Sequence, residues 1–141
     1  MDGPIVVGTD GSETATNAVM EAVRLSAALD RPLHIVSAYK PLHPPGGMPS
    51  EFQGSIAPSS VVQSVLEDAS ARARVAGVKA ETHPRVGDAA DVLLDLAEEL
   101  DAGLLVVGNK GIGSMRRYVL GNVPSKVVHH APCSTYVVHT T

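Results

Sequence analysis

The apolar positions of the chain form short continuous runs that alternate with longer amphipathic stretches. The runs predict strands at residues 5–9, 33–39, 103–107 and 134–139, and the first of them reads as a strand buried on both faces, as parallel strands are. A weaker strand is predicted over residues 79–86. The stretches between them predict helices over residues 13–29, 61–76, 88–100 and 124–130. In the first of these helices the apolar residues recur largely at helical spacing. Strand and helix therefore alternate along the chain.

Turn and cap residues set the ends of these elements. Ser12 is the predicted N-cap of the first helix, because its hydroxyl can accept hydrogen bonds from amides of the first turn. Gly77 is the predicted stop of the second helix. Pro84 places the third strand toward an edge of the sheet. Residues 40–58 are rich in Pro, Gly and Ser and predict a long surface loop.

This order predicts an α/β fold, an open, doubly wound, five-stranded parallel sheet with helices on both faces, as in Rossmann-like proteins. Ligands bind such sheets outside the carboxyl ends of the strands, where the winding direction reverses. If the chain winds outward from the first strand and returns to the fourth, the reversal lies between those two. Two loops are thereby selected: Thr9, Asp10 and Gly11 after the first strand, and Val107, Gly108 and Asn109 at the end of the fourth.

The segment from 108 to 121 is rich in glycine and leads into the last helix. Gly111 and Gly113 allow positive φ and a close approach of the backbone to a ligand. The start of the following helix offers amides and the positive end of its dipole, which favour an anion. The segment therefore indicates phosphate binding, and the alternative is a set of tight turns in a strand–loop–helix crossover. It is not a Walker loop, because no Gly-Lys-Ser/Thr follows at the required offset, and it is not a dinucleotide fingerprint, because that should follow the first strand.

Composition narrows the choice of partners. The formal net charge is −4 and only 11 Lys and Arg are present, which argues against a nucleic-acid partner. At 141 residues the chain fits one domain. The single cysteine, Cys133, excludes an intrachain disulfide and is interpreted as a buried structural thiol. There is no apolar span long enough for a membrane and no signal-peptide pattern, so a cytoplasmic location is expected.

The sequence resembles the universal stress protein family over nearly its whole length. The resemblance is carried by residues 5–12, 104–108 and 137–139, and by the spacing Gly-x2-Gly-x9-Gly, which Gly108, Gly111 and Gly121 match. Nucleotide-binding members have Ser or Thr after the third glycine, where this chain has Asn122. The resemblance implies the strand order 3-2-1-4-5, a homodimer formed through the last strand, and an adenine-nucleotide site.

In that site, the resemblance implies that Asp10 lies near the nucleotide, with Mg²⁺ possible beside it. The end of the second strand would contact adenine through its backbone, and the loop glycines and the residues after Gly121 would hold ribose and phosphates. Pro124 lacks an N–H, and Ser125 can supply a hydroxyl instead, so AMP and cyclic AMP are candidates beside ATP. The predicted binding residues are Thr9, Asp10, Gly11, Val36, Ser37, Ala38, Val107, Gly108, Asn109, Lys110, Gly111, Gly113, Ser114, Gly121, Asn122, Val123, Pro124 and Ser125.

Three functions stay open: a nucleotide-binding regulatory switch of the stress response, a slow ATPase, and a dimerising module that needs no nucleotide. A conventional enzyme is not expected, since neither a Gly-x-Ser-x-Gly elbow nor an evident pair of acid–base carboxylates occurs. No metal site is predicted, because the adjacent His129 and His130 point about 100° apart on a helix. The other histidines are interpreted as structural in strands (His34, His139) or solvent-facing (His43, His83).

Overall fold

Five parallel strands form one sheet in the order β3-β2-β1-β4-β5 in the computed structural model, which describes residues 2–40, 60–109 and 120–140. The strands are β1 Ile5–Gly8, β2 Leu33–Tyr39, β3 Ala80–Val86, β4 Leu104–Gly108 and β5 Ser134–Val138. Within the described ranges the helices are α1 Glu13–Leu29, α2 Ser60–Val75, α3 Ala89–Glu99 and α4 Asn122–His130. The predicted doubly wound α/β sheet and its strand order are confirmed. The proline-rich loop predicted for residues 40–58 lies almost wholly outside the described residues.

The position of β1 at the centre of the sheet explains why its sequence is apolar without alternation. Ile5 pairs with Leu33 of β2 on one side and with Leu104 of β4 on the other. Successive side chains of a strand point to opposite faces, and helices cover both. Ile5 and Val7 belong to the core under α1 and α2, whereas Val6 belongs to the core under α3 and α4. Both faces of β1 are therefore buried, with Ile5, Val6 and Val7 at most 1% exposed.

The two edge strands differ in how they meet solvent. β3 carries charged Glu81 and, as predicted for an edge, Pro84, which cannot donate a ladder hydrogen bond. β5 exposes apolar surface instead, with Tyr136 and Val137 more than a third accessible. Charge and proline discourage pairing with another chain, so β5 is the less protected edge.

Local signals account for three of the helix ends. The Oγ of Ser12 accepts a hydrogen bond from the Ala15 amide at 3.2 Å, which confirms the predicted N-cap of α1. Gly77, at φ +81°, follows the end of α2. The last helix begins at Asn122 rather than at the predicted residue 124, because Gly121 adopts the extended N-cap conformation. Among the described helices, none combines the length and apolar character needed to cross a membrane.

Three side-chain predictions are corrected. His83, expected to face solvent, is half-buried and lies against His34 of β2. His139, expected in the last strand, lies after its end and is exposed. Cys133 is half-buried rather than fully buried, and its partial burial raises the pKa of its thiol. His43 lies outside the described residues.

Candidate functional site

The candidate site is the crevice at the carboxyl ends of β1 and β4. These strands are neighbours, yet the chain leaves β1 through α1 on one face and β4 through α4 on the other. The connections diverge, so a crevice opens between them, as at the reversal point of other doubly wound sheets. The structure therefore brings the two loops selected from the sequence to one edge of the sheet.

The loop after β1 is held by its own side chains. The Thr9 amide donates to the Val36 carbonyl at 2.9 Å, which fastens the loop to β2. The Gly11 amide donates to Thr9 Oγ1 at 3.1 Å, and the Ser12 amide donates to Asp10 Oδ1 at 2.9 Å. These turns are typical of Ser, Thr, Asp and Asn side chains. Asp10 stays exposed, so its carboxylate can still reach a ligand.

Gly11 is required by the geometry of this loop. Its φ is +84°, a conformation that residues with a Cβ rarely adopt. A Cβ at this position would also lie 2.8 Å from Cγ2 of Val65 on α2. The loop therefore packs directly on α2, and the position admits only glycine without rearrangement.

The end of β2 forms another wall of the crevice. Val36 and Ser37 are buried, and Ala38 is half-buried. The Val36 carbonyl already accepts the Thr9 amide, so it is less suited to the predicted backbone contact with adenine. Ala38, nearer the end of the strand, is the better candidate.

Asn109 joins both ends of the glycine-rich segment. Its carbonyl accepts the Gly121 amide at 3.0 Å, and its own amide donates to the Val138 carbonyl at 2.9 Å. The Asn109 Oδ1 accepts two further bonds, from the Thr140 amide at 2.9 Å and the Thr140 hydroxyl at 2.8 Å. Asn109 is therefore chiefly an anchor of the loop, and the ends of that loop meet beside β4.

The remaining predicted loop residues lie outside the described part of the chain. They are Lys110, Gly111, Gly113 and Ser114, and the same holds for the basic pair Arg116 and Arg117. Val107 is buried at the end of β4, and Gly108 is half-buried beside it.

The first turn of α4 completes the site. Its N-cap is Gly121, which has no side chain with which to cap the helix, so Asn122 is the first helical residue and not the cap that its type suggests. The amides of Asn122 and Val123 belong to the first turn, where backbone N–H groups lack intrahelical partners. Pro124 is buried, and the Ser125 amide donates to the Gly121 carbonyl at 3.0 Å.

An ion pair fixes α4 against its neighbour. Lys126 Nζ lies 2.7 Å from Asp91 Oδ1 of α3. The hydrogen bond that Lys126 donates to Asp91 raises the pKa of Lys126. The charge of Lys126 is thus directed to α3, and the anion-attracting groups that the described part of α4 offers to the crevice are main-chain amides.

Sequence reasoning missed two residues that shape this site. Thr140 donates a hydrogen bond to the side chain of Asn109, and Val65 packs beside the turn at Gly11. Along the sequence, Thr140 lies 31 positions from Asn109. Both α1 and β2 lie between Gly11 and α2. Neither contact leaves a local pattern, so only the assembled fold could reveal them.

Comparison with known proteins agrees with this geometry. A family model described as the universal stress protein family matches residues 1–139. The universal stress protein Rv1636 of Mycobacterium tuberculosis is 38% identical over 97% of this chain and 96% of its own length.

Solved structures share the fold. A universal stress protein crystallised in complex with cAMP is 34% identical, with a TM-score of 0.77 over 99% of this chain and 98% of its own. A universal stress protein from Archaeoglobus fulgidus, in complex with dAMP, has a TM-score of 0.72 at 23% identity, over 99% of this chain and 100% of its own. The chain belongs to the universal stress protein family.

Proposed function

We propose that this protein binds an adenine nucleotide in the crevice between β1 and β4 and acts as a regulatory switch of the stress response rather than as a conventional enzyme. The observation that carries the proposal is the junction at Asn109 and Gly121. It places the start of α4, whose N-cap residue Gly121 offers no side-chain cap, at the sheet edge where the β1 loop begins. Such a helix start favours phosphate. The 34% identical relative crystallised with cAMP supports the same ligand class.

The phosphate, the adenine and the ribose of the nucleotide would each contact a different part of the crevice. The phosphate would lie on the amides of Asn122 and Val123, together with amides of the glycine-rich segment. The adenine would lie against the backbone of Ala38. Asp10 would reach the ribose, or a Mg²⁺ ion carried by the nucleotide, with the oxygen that does not hold the Ser12 amide.

This donor set favours few phosphates. Pro124 removes one amide from the first turn of α4, and Asn109 is engaged within the protein. We therefore expect cyclic AMP or AMP to bind at least as well as ATP. Bound nucleotide would connect the β1 loop, the end of β2 and α4, and so bias the order of these segments. We place this regulator in the cytoplasm, where adenine nucleotides are abundant.

Calorimetric titration with cyclic AMP, AMP, ADP and ATP, with and without Mg²⁺, tests the proposal. A ligand present at 100 times its Kd should stabilise the fold by about 2.7 kcal/mol, so thermal unfolding gives an independent readout. Gly111→Val should abolish binding, because the added side chain would obstruct the close approach of backbone to ligand that glycine allows. If none of the four nucleotides at millimolar concentration gives either a heat of binding or a thermal shift, the proposal is wrong.

A homodimer through β5 is a second part of the proposal. Tyr136 and Val137 expose apolar surface on this edge strand, 38% and 37% accessible, and its outer edge is open to pair with a second copy. Val137→Lys should shift the protein toward monomer in sedimentation analysis. Val86→Lys, the same change on the opposite edge strand, should leave the oligomeric state unchanged. Identical monomeric behaviour of wild type and both variants would contradict this interface.

A further inference from the structure

Two histidines and a glutamate converge on one face of the sheet, away from the α1–α2 side. In the register of β2 and β3, His34 pairs with Glu81, and Val36 pairs with His83. Since alternate residues of a strand share a face, Glu81 and His83 stand on the same face of β3. Val36 and Val6, the neighbours of this group, belong to the core under α3 and α4. The fold thus assembles the three residues from positions up to 49 apart.

Their ligand atoms lie close enough to share one ion. His34 Nδ1 is 2.9 Å from His83 Nε2 and 3.6 Å from Glu81 Oε2. All three ligand atoms lie within 4.8 Å of one another. Bonds of about 2.0–2.1 Å to a tetrahedral zinc ion separate two ligand atoms by about 3.3 Å. The observed spacings bracket that value, so small side-chain rotations would suffice.

The two rings already face each other through their nitrogens. Their centroids are 5.1 Å apart and their planes differ by 28°, while the nearest nitrogens are only 2.9 Å apart. A hydrogen bond needs one nitrogen to donate and the other to accept. If the donating ring carries its proton on its other nitrogen instead, both facing nitrogens present lone pairs, and a metal ion between them would gain the Glu81 carboxylate as a third ligand.

Burial and charge keep this cluster suited to a cation. His34 is 8% exposed, whereas the Glu81 side chain is largely accessible and offers a route for an ion. Arg85 stands two residues beyond His83 on the same face of β3. Neutral imidazole is the form that ligates a metal. Arg85 is itself paired with Glu99 of α3 at 3.0 Å, which offsets its charge.

We propose that His34, Glu81 and His83 form a binding site for zinc or a chemically similar first-row divalent ion. Two imidazoles and one carboxylate suit zinc, whereas Mg²⁺ and Ca²⁺ prefer oxygen ligands throughout. Three protein ligands leave the fourth tetrahedral position for water or a further ligand. The ion would join edge strand β3 to β2, two residues before the Val36–Ala38 wall of the nucleotide crevice.

The proposal is tested by titrating tag-free, chelator-treated protein with ZnCl₂ in a calorimeter. We expect one ion per chain, a rise in unfolding temperature, and with Co²⁺ the visible absorption of a tetrahedral site. His83→Gln should weaken zinc binding by more than about tenfold, since even loss of a group behind the ligands costs that much. Glu81→Gln, at an exposed side chain, tests the carboxylate with little risk to folding.

His129→Gln is the matched control. His129 is an exposed histidine near another histidine, with ring centroids 6.5 Å apart and tilted planes. It should bind zinc as the wild type does. Equal affinity of wild type and a folded His83→Gln variant would overturn the proposal, as would a loss of binding in His129→Gln. All these titrations are done without nucleotide, so their outcome is independent of the function proposed above.

Discussion

Asn122→Asp separates the stability of the fold from phosphate binding. Asn122 is the exposed first residue of α4, and the N-cap of that helix, Gly121, provides no side-chain hydrogen bond. Aspartate has nearly the same shape as asparagine and adds one negative charge. At a helix start that charge is favourable for the helix, whereas beside a bound phosphate it is repulsive.

The two effects have opposite signs and can be given magnitudes. The helix dipole should stabilise the fold of the variant by about 0.3–1 kcal/mol. A carboxylate about 6 Å from a singly charged phosphate repels it by about 0.7 kcal/mol at the dielectric constant of water and by about 3 kcal/mol at an effective value of 20. Cyclic AMP should therefore bind about threefold to a hundredfold more weakly. ATP should lose more, and adenosine almost nothing.

Calorimetry at low and moderate salt, with thermal unfolding of the same samples, measures both effects. The loss of affinity should shrink as salt rises, because salt screens the repulsion. Ser60→Asp is the matched control, since it adds the same charge at the exposed first residue of α2. If Asn122→Asp binds cyclic AMP as tightly as wild type at low salt, or if Ser60→Asp weakens binding equally, the phosphate does not lie on α4.

Three further predictions follow from single contacts. Gly11→Ala should destabilise the fold by about 2–4 kcal/mol in urea unfolding, from left-handed strain plus the contact with Val65. Gly77→Ala, also at positive φ but with nothing within 4 Å of the added Cβ, should cost only about 1 kcal/mol; equal losses would refute the clash. Asn109→Ala should cost about 1–3 kcal/mol, because it leaves the amide and the hydroxyl of Thr140 without their acceptor, and should also weaken nucleotide binding; an unchanged unfolding midpoint would contradict the anchoring role of Asn109. Cys133 should be alkylated by iodoacetamide with a half-maximal pH above the usual value of about 8.5, since only the thiolate reacts and burial disfavours it; a half-maximal pH at or below that value would contradict the assigned burial effect.

The elements with a strong local pattern were predicted well. Both ends of α1 and of β2 agree with the sequence prediction. The starts have clear local signals, since Ser12 caps α1 and Pro32 immediately precedes β2. The apolar runs also predicted burial on both faces of the sheet. The start of α4 was missed by two residues, since Pro124 resembles a helix start while Gly121 supplies the actual cap.

Contacts between distant segments could not be read from the sequence. The pairing of His34 with His83 depends on the register of β2 against β3, and a shift by one residue would have put them on opposite faces. The prediction that His83 faces solvent was wrong for this reason. The hydrogen bonds from Thr140 to Asn109 likewise depend on where β5 ends.

In the proposed complex, main-chain amides at the carboxyl edge of β1 and β4 hold an adenine nucleotide. Amide NMR of ¹⁵N-labelled protein titrated with cyclic AMP tests it residue by residue. We expect saturable shifts at Asp10, Ala38 and Val123, with little change at the opposite edge of the sheet near Leu33. Shifts confined to that opposite edge, or no saturable shift at any amide up to millimolar cyclic AMP, would contradict it.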